Sequence, residues 1–242
     1  MNSNIKIAGT SPQIYARIGG VLYLIIIAAG IFGEFFVRGK LIVSGDTTVN
    51  NIMNSQLLWR TGIASDLIMH VCDLPLMLIF YVLLRPVNKN LALLALLFTM
   101  IQTAVLVATK LNLFTPLILL GNVGNLNAFD PQQLHSLIYL SIKLDANGFG
   151  VGLIFFGFAC LVNGYLILKS TYLPKTLGFL MQIAGLCYLI NSFSMILVPA
   201  FSNMISPTIL VPAFIGELSF CIWLLVKGIN VTKWELKQSI TH

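Results

Sequence analysis

Residues 57–84 read LLWRTGIASDLIMHVCDLPLMLIFYVLL. At about 1.5 Å of rise per residue, such a run crosses the roughly 30 Å of hydrocarbon in a bilayer. It nevertheless carries Arg60, Asp66, His70 and Asp73. The spacing i, i+4, i+7 puts Asp66, His70 and Asp73 on one helical face, and Met77 and Tyr81 continue that stripe. The remaining faces are apolar. Lipid solvates no ion and offers backbone amides no partner, so the run is read as a membrane-crossing helix whose one polar face turns toward protein or trapped water. Arg60 lies about a third of a turn off the stripe. Pro75 removes one backbone hydrogen bond just past the triad and is a site for a kink.

The rest of the chain agrees. It has 242 residues, 57% of them hydrophobic and only 9% charged, with a mean hydropathy of +0.91. Soluble domains carry roughly 25% charged residues, so this inventory cannot build a water-facing surface. The net charge of +6 does not mark a nucleic-acid partner, because the lysines and arginines stand in short groups flanking apolar runs, as interfacial anchors do. Cys72, Cys160, Cys187 and Cys221 fall inside apolar runs with no ligand-like spacing, and read as reduced core thiols. The first apolar run is too long for the core of a cleaved signal and reads as a retained span.

The expected fold is all-α: a polytopic transmembrane helical bundle of six spans within a single integral membrane domain, residues 1–242. The spans fall at about 17–37, 57–84, 91–114, 145–168, 177–198 and 207–226. Short interfacial helices are expected at about 46–56, capped by Asp46, and at 131–144, capped by Asp130 with Pro131 at the first helical position; the second can also be a half-inserted helix or the outer extension of the fourth span. Gly148 and Gly152, four apart, suit close helix packing. With the N-terminus inside, Lys6, Arg17, Arg85, Lys89, Lys169, Lys175, Lys227, Lys233 and Lys237 lie on the inner side. Arg38, Lys40, Arg60, Lys110 and Lys143 lie toward the outer side. That asymmetry favours cytoplasmic termini.

Glu34, Asp66, Asp73, Asp145 and Glu217 are acids in or at the ends of spans. With His70 they are the candidate ligand- or proton-binding residues, with Arg60, Lys110 and Lys143 as charge partners, gathered in a cluster open to the non-cytoplasmic side. Three uses of such a set differ in kind. The acids can pair with the cations and lock helices together. They can exchange protons or bind a small polar solute or cation, an imidazole being the side chain that ordinarily changes charge near neutrality. Or Asp66, His70 and Asp73, joined by Glu217 or Asp145, can hold a divalent metal; no HExxH or multi-histidine set supports catalytic zinc. No cofactor is otherwise expected, and the partners expected are membrane lipid and a small polar solute or cation, with no nucleic acid.

The stretches GEFFVRGKLIV (33–43), SDLIMHVCDLPLMLIFYVLLRPVNKNLALLALL (65–97), LIFFGFACLVNGYLILKSTYLPKTLGFL (153–180) and IGELSFCIWLLVKG (215–228) together resemble a bacterial membrane family catalogued as domain of unknown function 4386. The likeness spans about residues 15 to 228. It implies a multi-span protein of the bacterial inner membrane and carries no activity to any residue. Function therefore rests on the residues: a transporter-like or ligand-binding protein first, a membrane-embedded enzyme acting on a lipid or prenyl substrate second, and a non-catalytic membrane partner third.

Overall fold

The computed structural model describes residues 11–43, 45–121 and 130–241, and every regular element among them is helical. In chain order these are α1 (Pro12–Ile31), a π-helical turn (Phe32–Arg38) running into Gly39–Leu41, α2 (Gly45–Asn54) and α3 (Gln56–Leu84). Then come α4 (Lys89–Thr109), a 3-10 turn (Lys110–Phe114) with Thr115–Leu119 behind it, and α5 (Pro131–Lys169). The chain continues with α6 (Lys175–Leu197), α7 (Pro199–Ile205), α8 (Leu210–Val226) and α9 (Val231–Thr241).

Five continuous helical stretches are long and apolar enough to cross a membrane: Pro12–Leu41, Gln56–Leu84, Lys89–Leu119, Pro131–Lys169 and Lys175–Leu197. The pair α7 and α8, bent by 55°, is together long and apolar enough for a sixth crossing where a single helix from 207 is expected. Spatial neighbours follow chain order, α1 on α3, α3 on α4, α4 on α5, α5 on α6 and α6 on α8, and α8 closes the ring against α1. Large apolar side chains cover the outside, Phe35 being 71% and Leu197 73% exposed. On a soluble protein that would be a liability, but against acyl chains it is the expected solvent.

Two expectations are corrected. Residues 131–144 do not form a separate interfacial helix; they are the first turns of α5, which runs unbroken for 39 residues. At about 58 Å it is nearly twice the hydrocarbon thickness, so one end projects from it. Its start is as read: the Asp130 carboxylate accepts from the Gln133 amide at 2.8 Å, and the Gln133 side-chain oxygen in turn accepts from the Asp130 amide at 3.1 Å. Helix α2 exists, but it already begins at Gly45, so Asp46 lies within its first turn; the Asp46 side chain, Lys6 and His242 lie outside the described atoms. Pro75 does not break α3.

The end of the bundle that holds both described termini is tied by polar contacts. Gln13 donates from Nε2 to the Lys227 carbonyl (3.0 Å) and accepts from the Ile229 amide (2.9 Å). Gly228 between them has φ +67, a conformation side chains resist, and a Cβ there would strike Gln13. The Leu83 carbonyl is orphaned at the end of α3, because the Val87 amide bonds Leu84 instead. Tyr172 Oη (2.7 Å) and Trp234 Nε1 (2.9 Å) both donate to it. Burial pushes the Tyr172 phenol above its ordinary range, which keeps it a donor. Trp234→Phe is expected to cost about 1 kcal/mol, read as a lower melting temperature in detergent; an unchanged melt would mean that α9 does not brace the bundle.

Candidate functional site

Inside the ring the apolar core comes in two parts. One, toward the termini, contains Tyr23, Leu76, Leu83, Cys160, Phe220 and Trp234. The other, toward the far end, contains Val37, Trp59, Ile63, Leu113, Leu117 and Ile138. Along α3 no fully buried apolar residue between Ile63 and Leu76 belongs to either part, and there lie Asp66 and His70, both buried, and the half-buried Asp73. Gln102 and Thr103 from α4, Lys110 from the 3-10 turn behind it and Asp145 from α5 are buried there too. A belt of polar side chains therefore divides the hydrophobic interior.

The part nearer the far end is a charge ladder. Arg38 grips Asp66 with two nitrogens, Nη1 at 2.6 Å from Oδ2 and Nη2 at 3.1 Å from Oδ1, while its Nε reaches Glu34 at 2.7 Å. Lys110 Nζ lies 3.6 Å from Asp66 Oδ2 and 3.0 Å from Asp145 Oδ1. The sequence builds this locally. The π turn extends the first helix past Ile31 and brings Glu34 and Arg38 round to α3. Gly33 leaves room for the pair, since a Cβ there would lie 2.6 Å from Asp66 Oδ1 and 3.1 Å from Arg38 Nη2. Asp66 (0% exposed), Lys110 (4%) and Asp145 (4%) are buried, and two cations against two acids, with Glu34 at the exposed end, leave the buried rungs neutral. Such a set fits the locking role, because each ion's lost hydration is offset by a partner.

Arg60 and Lys143, expected among the partners, stand outside it. Arg60 lines a flank groove with Ile63, Ala64, Leu67, Phe114 and Leu117, and Lys143 sits over the Tyr139 ring at 5.4 Å. The cation in their place is Arg38, expected only as an outer-side charge just past the first span; its signal is Glu34 four residues earlier, the spacing of a helical ion pair.

Closer to the middle the belt changes character. His70 Nδ1 is 3.3 Å from Asp73 Oδ2, and Thr103 Oγ1 donates to the same oxygen at 3.4 Å. His70 Nε2 is buried with no hydrogen-bond partner among the described residues, and so are Gln102 Oε1, Asn191 Oδ1, Ser192 Oγ and, on the ladder, Asp145 Oδ1, which faces Lys110 as an ion pair only. Glu217, on α8, accepts a short hydrogen bond from the Tyr188 hydroxyl, and Tyr23 and Asp73 are among the polar groups around it. Packed rings line this corner: Tyr23 on Phe80, Phe80 on Phe220, Phe156 on Tyr188. Thr103, Tyr23 and Tyr188 escaped the sequence reading, since an uncharged hydroxyl in an apolar helix gives no signal.

The metal reading does not fit. Among the described residues no three His, Cys, Asp or Glu side chains form a group suited to a metal ion, and both oxygens of Asp66 already face Arg38. Asp66 and the His70–Asp73 pair therefore serve separate clusters. Gly148 and Gly152 do what their spacing suggested, pressing α5 onto Thr109 and Leu106, and α5 is continuous there.

A closed ring of apolar helices around an ionised belt defines a polytopic membrane protein. The chain belongs to the family described as a domain of unknown function (DUF4386), whose model matches residues 18–228. It is similar to an uncharacterized protein of the archaeon Archaeoglobus fulgidus, 31% identical over 158 residues, which are 65% of this chain and 78% of that protein. No solved structure matches it.

Proposed function

We propose that this is a transporter-like protein of a bacterial cytoplasmic membrane, with both termini in the cytoplasm, whose interior His70–Asp73 pair binds and passes a proton, with Glu217 as the neighbouring station. One observation carries the reading: a buried imidazole with one nitrogen on a carboxylate and the other without a partner. When Nδ1–H points to Asp73, Nε2 is the bare, basic nitrogen, so the site holds an acceptor that its own packing leaves unused. The ladder supports this by contrast. Its buried charges cancel, which leaves it the static part of the belt, while the His70 side retains capacity for a proton or a small cation competing with it. Ionisable groups kept at membrane depth are costly and commonly mark such pathways.

The test uses the three histidines of the chain. Histidine-labelled protein in detergent micelles gives few ring-nitrogen signals, and His70→Ala identifies the one that matters. The His70 signals are expected to be those of a ring carrying its proton on Nδ1 with Nε2 bare, and Asp73→Asn to change that tautomer balance. In liposomes holding a pH-sensitive dye, wild-type protein is expected to pass protons faster than empty vesicles, and His70→Ala to return the rate to theirs. Proton passage by His70→Ala as fast as by wild type rules the reading out.

A further inference from the structure

A cation that the interior acids do not use still needs a partner. Arg60 is exposed and makes no ion pair or hydrogen bond with protein among the described residues, whereas Arg38 and Lys110 are both paired. It stands at i, with Ile63, Ala64 and Leu67 at i+3, i+4 and i+7 on one face of α3. Phe114 and Leu117 face them across a groove of about 230 Å³. Helix α3 has 29 residues and is about 43 Å long, which exceeds the hydrocarbon core by roughly 13 Å. Arg60, four residues in from its start, thus sits about 6 Å from the helix end, at headgroup depth. From there the apolar wall descends toward the acyl layer.

We infer that this groove is a site for an anionic phospholipid, with the Arg60 guanidinium on the headgroup phosphate and one acyl chain along Ile63, Ala64 and Leu67. The groove offers one cation and no carboxylate. A headgroup of net negative charge is therefore matched, whereas the ammonium of a zwitterionic lipid finds nothing to pair with. Guanidinium is also the side chain whose fork fits two phosphate oxygens at once.

The experiment places the full-length protein in nanodiscs of equal parts phosphatidylcholine and phosphatidylglycerol, and reads the lipids that stay bound by native mass spectrometry. Wild-type protein is expected to retain phosphatidylglycerol preferentially. Arg60→Ala should reduce that enrichment about fivefold, the factor given by about 1 kcal/mol per interfacial cation, and Arg60→Lys should keep part of it. Ala64→Leu leaves the charge but fills the groove at an exposed position, and should reduce retention too. Equal enrichment in wild type and Arg60→Ala overturns the proposal. So does an undiminished Ala64→Leu, which would mean unspecific surface attraction, and so does binding of inorganic phosphate alone in phosphatidylcholine discs at the same residue.

Discussion

Lys110→Met is expected to cost about 3–5 kcal/mol of stability, the range for stranding a buried ion by removing its partner. The loss should be read as a lower midpoint of unfolding when the protein is titrated from mild detergent into dodecyl sulfate. Lys110 is the cation on Asp145, held at 3.0 and 3.1 Å from its two oxygens. Asp66, by contrast, retains the two-pronged grip of Arg38 when Lys110 is gone. The cost therefore falls mainly on Asp145, left in a site only 4% exposed. The double variant Lys110→Met with Asp145→Leu removes both charges together, and should recover most of the loss, because an apolar pair of similar volume needs no compensation. A double variant as unstable as the single one would show that Lys110 is held for its packing. Arg38→Met should cost less than Lys110→Met, since Asp66 keeps Lys110 at 3.6 Å and Glu34 is already exposed.

The difference between what the residues announced and what the folding adds lies in which helix faces which. That residues 57–84 cross a membrane was readable because the alternative, unsolvated backbone and ions in lipid, is so costly. The stripe of Asp66, His70 and Asp73 was readable because spacing along one helix needs no knowledge of its neighbours. The partners of that stripe were not readable, because pairing across helices depends on the rotation and register of each. Arg60 precedes Asp66 by only six positions yet points away, while Arg38, remote in sequence, is brought in by the π turn after Ile31. Likewise, Asp130 as cap with Pro131 after it marks where α5 starts, but nothing local decides whether the helix stops before Asp145. The split of the belt into a closed ladder and an under-satisfied His70 side follows from those cross-helix pairings, so it appears only in three dimensions.

A second signal was present in the sequence and went unused. Gly157 and Gly164 on α5, and Gly178 and Gly185 on α6, are each seven residues apart, and on antiparallel helices they meet in reciprocal pairs. A Cβ at Gly164 would lie 2.8 Å from the Gly178 carbonyl oxygen, and one at Gly178 equally 2.8 Å from that of Gly164. At Gly185 it would lie 2.7 Å from the Gly157 oxygen, and at Gly157 3.0 Å from that of Gly185. The obstructing atoms are backbone, which cannot rotate aside, so even alanine forces the helices apart. Between membrane helices no hydrophobic effect opposes separation; close packing and weak Cα–H to carbonyl contacts hold them. Gly164→Ala and Gly185→Ala are each expected to cost about 1–3 kcal/mol, despite alanine's better helix propensity of roughly 0.5–1 kcal/mol. Together they should lower the unfolding midpoint about as far as Lys110→Met. Gly30→Ala is the matched control, because a Cβ there meets only Met69 Sδ at 3.4 Å, and it should be neutral or slightly stabilising. If Gly164→Ala and Gly30→Ala behave alike, the seam is not what holds α5 to α6, and the rigidity of the ring on that side has another source.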